Sequence, residues 1–294
     1  MTQSLKLPAE TLTPHQIAPL ARWVANLDLG YVHNEFGTVL KMIKHEGPLR
    51  VQKALYPEGT QICHTVIVHP PAGIAGGDEL NIRVEIGDDC QVVLSTPSAT
   101  KWYKSFANPS AQYINVSLGD NAQLDWLPQE NLFFNEAKSS LSTRFDVKSS
   151  SSLILWDMTM LGRKSSNEIW QNGWIQLNNQ IYLDGKLLWV EQGKLSGDDP
   201  LLNSLVKLGK SSIFGSLIAI GPDCKEDLLE HLHSLLTWDE KIKAGATYLQ
   251  QGVLIVRVVS ENIEEVRNLL IKIWKILRPL VHHKEAQDLR LWAL

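Results

Sequence analysis

The run LYPEGTQICHTVIVHPPAGIAGGDEL (55–80) constrains this chain more than any other stretch. Residues 61–68 alternate polar and apolar well enough to read as a strand. Pro70 and Pro71 then end any ladder, because neither has an N–H to donate and each restricts the residue before it. Gly73, Gly76 and Gly77 permit backbone angles that side chains resist, and Asp78 follows directly. The segment therefore encodes a strand that runs into a rigid, shaped loop bearing a carboxylate.

An internal echo extends the β reading. IGDDCQVVL (86–94) is answered by LGDNAQLDW (118–126), by SSSSLILW (149–156) and more faintly by LDGKLLW (183–189). Each leads from polar turn residues into an apolar strand, and the ends Leu94, Trp126, Trp156 and Trp189 are spaced by 32, 30 and 33 residues. A strand repeat of that size predicts windings stacked so that each covers its neighbour's apolar face. Gly87-Asp88, Gly119-Asp120-Asn121, Asn178-Asn179, Asp184-Gly185 and Gln251-Gly252 read as turns between strands.

Helix is expected late in the chain. Asp223 is positioned to cap Cys224–Leu236, with Glu226 as the acid of a capping box. Asn262–Leu277 places Val266, Leu269, Leu270, Ile273 and Leu277 on one face, and Pro279 should stop it. Val253–Val259 between them reads as a further strand. The fold class is thus mostly β, an elongated, β-helix-like stacked body with two helices near its C-terminus. No linker divides it, so residues 1–294 read as one domain, with 1–19 as a flexible N-terminal tail.

Composition narrows the chemistry. At 44% hydrophobic and 20% charged the chain can bury a core, and a net charge of −4 without a basic stripe argues against nucleic acid. The N-terminus lacks the basic and apolar blocks of a signal peptide, and no apolar run is long enough to span a bilayer, which predicts a cytoplasmic protein without membrane contact. Cys63, Cys90 and Cys224 offer neither CxxC nor a disulfide framework. Cys63, His64 and His69 form a C-H-x4-H cluster, but strand neighbours point to opposite faces, and a tight metal site needs three or four converging ligands. His282-His283 follow the expected helix end, where cations suit the dipole. No nucleophile elbow and no P-loop are present. Ten tryptophans suit either core filling or an aromatic binding surface. Asp125, Glu130, Asp157 and Glu168 near strand ends could act as a glycosidase pair, or as loose ligands handing a cation along a water-filled passage.

Taken in order, GPLRVQ (47–52), LYPEG (55–59), HPPAGIAGGDEL (69–80), STPSATKWYKS (95–105), DWLPQENLFF (125–134), LWDMTMLGR (155–163), ATYLQQGVLIVRVV (246–259) and LRPLVHHKEAQDLRLWAL (277–294) resemble the urease accessory protein UreD (UreH) family. The resemblance runs from about residue 20 to the end. It implies an elongated, strand-rich non-enzyme that binds the urease apoprotein and a UreF-type accessory protein, recruits a UreG-type GTPase through UreF, and helps pass Ni2+ to the urease active site. No cofactor would be held permanently; Ni2+ would be in transit. On matched positions, Gly76, Gly77 and Asp78 fall in the glycine-rich loop, and Glu130, Asp157, Arg163 and Glu168 in later motifs. Asp78, Asp157 and Glu168 are the candidates for transient Ni2+ contact, and Gly76, Gly77, Glu130 and Arg163 for loop structure or partner contact. Ala72 and Ser98 stand where the family often has glycine. A cytoplasmic β-coil carbohydrate-active enzyme, or an assembly protein for a different partner, are the competing readings.

Overall fold

Two kinds of strand sequence build the molecule, and they form different walls. The structure is a computed structural model that describes residues 22–204 and 206–293; the tail expected at 1–19 lies outside them. An antiparallel hairpin of β1 (Val24–Asn34) and β2 (Gly37–Glu46) starts the body, and the short β3 (Arg50–Val51) pairs with β4 (Ile62–Val68). The chain then winds. β5 (Glu79–Ile86), β6 (Gln91–Ser95) and β7 (Thr100–Trp102) form one winding. β8 (Ser110–Leu118), β9 (Gln123–Leu127) and β10 (Asn131–Phe133) form the next. β11 (Lys138–Val147) and β12 (Ser152–Leu161) follow, then β13 (Trp174–Leu183), against which β14 (Lys186–Ser196) turns back antiparallel.

β5, β8, β11 and β13 lie parallel in a first wall, and β4, β6, β9 and β12 lie parallel in a second. A short third wall pairs β7 with β10 and β10 with the far end of β12. Ile74, Trp102, Phe133 and Leu161 stand in register along it, with the Trp102 and Phe133 rings stacked at 5.3 Å between centroids.

The first wall faces water on one side. Its strands accordingly alternate, as in ELNIRVEI of β5, whose Leu80, Ile82, Val84 and Ile86 are buried. The second wall is covered on both sides, so its strands read as nearly continuous apolar runs such as SLILW in β12. Antiparallel β15 (Ile213–Ile220) continues that wall. After the short helix α1 (Leu228–Leu232), the hairpin of β16 (Ile242–Leu249) and β17 (Val253–Ser260) completes it. Helix α2 (Ile263–His282) lies across its outer face, burying Val266, Leu270, Ile273, Trp274 and Leu277 against Ile154, Trp156, Leu217 and Val256. Each such side chain contributes about 1.5–3 kcal/mol by leaving water.

The stacked β body with two C-terminal-region helices is as the sequence predicts, but four details differ. The fourth echo is not a further winding: Asp184-Gly185 closes the β13–β14 hairpin in the first wall. Asn178-Asn179 is not a turn but the middle of β13, whose long pairing with β11 outweighs the turn preference of two asparagines. The helix expected over 224–236 shortens to α1 because Asp223, its expected cap, pairs with His283 and Lys225, leaving turns up to Asp227. Pro279 does not stop α2. Its ring removes a bond to the Lys275 carbonyl on the exposed side, while buried Arg278 and His282 anchor the last turn, and His283 ends the helix in the left-handed region.

Candidate functional site

The interior of the coil is incompletely filled. A cavity of about 320 Å³ runs between the two main walls, from His69, Pro70, Ala72, Gly73 and Ile74 at the strand–loop junction to Asp157, Asn179, Ser216 and Trp189 near the last strands. Strand register fixes its lining. Ile82, Ile114, Thr143 and Asn179 lie in one row across the first wall, so the inner face changes from apolar to polar along the stack. On the second wall Leu94 pairs with Trp126 and Trp126 with Leu155, and Asp157 lies two residues further along β12, opposite Ser216 on β15.

Asp157 is the ionisable group inside this polar end. The Asn131 side-chain amide donates to its Oδ1 at 3.4 Å, and Asn131 is itself fixed by the Trp102 indole N–H at 3.0 Å. Burial, helped by the negative charge of Glu191, pushes the Asp157 carboxyl up to about 6. Glu191 lies opposite Asn179 on β14, and its Oε1 accepts from Arg257 of β17 at 2.6 Å. At the other end His69 is pushed down by burial, against the opposing pull of Asp78.

The loop flagged in the sequence shapes that end. Asp78 Oδ2 accepts the Ala75 N–H at 2.9 Å, closing the loop on itself. Gly77 has φ +94°, and a Cβ on Gly76 would lie 2.8 Å from the Asn108 carbonyl oxygen, so both positions require glycine. Ala72 adopts φ 65°, the left-handed region where glycine is at ease.

The remaining candidates are tied to protein partners. Glu168 accepts from the Arg163 guanidinium through both oxygens at 3.0 Å, which holds its carboxyl below the usual range, and Arg163 lies over the Phe134 ring. Glu130 accepts from Arg267 of α2 at 2.7 Å and so fastens the helix to the coil. Asp125 faces out toward α2. It accepts from the Trp274 indole at 2.7 Å and from Arg278 at 2.9 Å, with His282 3.5 Å away. Arg278 also donates to Glu58, which pairs with His64 at 2.7 Å, and His282 is hydrogen-bonded to Ser152 at 2.6 Å. Burial alone would raise the Asp125 and Glu58 carboxyls. His282 and Arg278 hold Asp125 down instead, and His64 and Arg278 do the same for Glu58. Asp125 and Asp157 therefore lie on opposite faces of one wall and do not form a facing pair.

Cys63 points into the coil core while His64 points out, and no three His, Cys, Asp or Glu side chains converge to hold a metal ion among the described residues. No described helix is long and apolar enough to cross a membrane. Sequence reading passed over Arg257, Glu191 and Arg278. The signal was present in each case: VLIVRVV places one charge in an apolar strand, LLWVEQ does the same, and Arg278 sits on the apolar face of α2 four residues after Trp274.

Comparison with known proteins fits this architecture. The family model described as UreD urease accessory protein matches residues 24–293. A urease accessory protein UreD of Polynucleobacter asymbioticus is 55% identical over 92% of this chain and 93% of its own length. Its counterparts from Ralstonia nicotianae and Bordetella pertussis are 41% and 37% identical, over 95% and 93% of this chain and 97% and 98% of their own lengths.

Proposed function

The chain belongs to the UreD family of urease accessory proteins, and from that premise we propose that it is a non-catalytic scaffold in the cytoplasm that passes Ni2+ toward the urease active site. In this reading it binds the urease apoprotein and a UreF-type protein, and a UreG-type GTPase joins through UreF. Nucleotide hydrolysis belongs to that partner, in keeping with the lack of a P-loop here.

The observation that carries the reading is the cavity inside the coil with Asp157 at its polar end. A carboxylate with an affinity for protons near neutrality exchanges them readily for a dication. One carboxylate among amide and hydroxyl oxygens binds such an ion loosely enough to let it leave. Asp78 and Glu168 stand outside the cavity lining, bonded to the loop and to Arg163, so the first contact assigned to the ion here is Asp157.

The test uses a host strain that makes its own urease and lacks this chain. Restoring the wild-type chain should return nickel to purified urease, and affinity capture should bring down urease subunits with a GTPase-bearing complex. Asp157→Asn should keep the assembly and lower the nickel content. Unchanged nickel content and urease activity on deletion would overturn the reading.

A further inference from the structure

Register places two charged groups one strand beyond the cavity lining. Asn179 and Ser216 line the polar end; Glu191 lies directly across from Asn179, and Arg257 directly across from Ser216. β14 and β17 belong to different walls, and no ladder joins them among the described residues. The ion pair of Glu191 and Arg257, at 2.6 Å, therefore spans the gap between the walls where the cavity meets the surface. The Arg257 side chain is 57% exposed and that of Glu191 26%, so the pair stands in water on one side, and register puts Arg257 in one row with Ser216 and Asp157 on the other.

We propose that the Glu191–Arg257 pair is a latch across this end of the cavity, which opens by breaking one solvent-screened ion pair. Exposed pairs are weak, so such a latch opens often without unfolding either wall. The deeper part of the proposal rests on the passage reading. A dication leaving Asp157 would meet Glu191 next and compete with Arg257 for it, which couples opening to the cargo.

The test needs neither nickel nor urease, so failure of the latch and failure of the delivery role give different results. Ser216→Cys places a thiol in the cavity lining, and the full-length chain is reacted with N-ethylmaleimide. Buried Cys63, Cys90 and Cys224 report unfolding in the same sample. Adding Glu191→Gln or Arg257→Gln should speed labelling of the new thiol by roughly twofold to fivefold. The charge swap Glu191→Arg with Arg257→Glu should return the rate toward the parent value. High salt should speed the parent and leave the single variants unchanged. Equal rates in all backgrounds, or a swap that stays fast, would overturn the latch. If Arg257→Gln unfolds the chain, Glu191→Gln and the salt dependence decide.

Discussion

Asp125 and Asp157 sit on neighbouring strands of one wall, and the molecule treats them in opposite ways. Asp125 looks outward into the seam with α2, where Trp274 and Arg278 bond it and His282 lies close. Asp157 looks inward at the cavity with one long bond from Asn131 and a second negative charge nearby. Burial raises both carboxyls, yet partners outweigh it only for Asp125. A buried charge whose bonding capacity is used up fastens the fold. One left short of partners costs stability, and that cost is tolerated where the group meets something from outside.

The sharpest way to break this contrast is to strip Asp125 and Glu58 of their shared cation. Arg278→Met should cost about 3–5 kcal/mol in denaturant unfolding at neutral pH, because it leaves two buried carboxylates without it. With folded pKa values below the usual range, these two groups stabilise the wild type above about pH 4, and that contribution is lost on acidification. The deficit of the variant should therefore narrow as pH falls.

Asp157→Asn should do the reverse. Because its folded carboxyl is raised to about 6, the penalty in the wild type builds as pH rises toward 6 and is constant above it. The variant should be more stable by roughly 1–2 kcal/mol at pH 7.5, a figure reduced because the partly exposed carboxylate keeps some contact with solvent, and equal to the wild type near pH 4. A destabilised Asp157→Asn would break the comparison. A double-mutant cycle on Glu130 and Arg267 should give a coupling of about 1 kcal/mol or less, since that pair is only partly shielded. Smallest of all, Ala72→Gly should stabilise by about 0.5 kcal/mol through release of its left-handed strain, with neither carboxylate affected.

The coil, its corner turns and the strand–loop element were legible because they rest on local chemistry: alternation, glycine and proline, and a repeat near the length of one winding. What faces which way was not. The echo in the sequence aligns Trp126 with Trp156, but the wall pairs Trp126 with Leu155. That slip of one residue turns Trp156 out toward α2 and Asp157 in toward the cavity, while Asp125 before Trp126 turns out. Register is a property of two strands together, and neither strand encodes it alone. Arg278 was hidden for a related reason: its partners Asp125 and Glu58 lie far away in sequence, so only the docked helix brings them together.

The corner turns have a consequence for length. Asp88 accepts the Asp120 N–H at 2.8 Å, Asn121 bonds Asp89 at 3.1 Å, and Ser150 bonds Asp120 at 2.9 Å, so each corner is pegged to the next. Asp89 and Asn121 repeat the same left-handed geometry at successive corners. A whole winding is thus an interchangeable module, and the molecule is a ruler graduated in steps of about 4.8 Å. Splicing out one module would bring the two ends of the cavity closer by a single step and leave the corner pegs on either side able to meet.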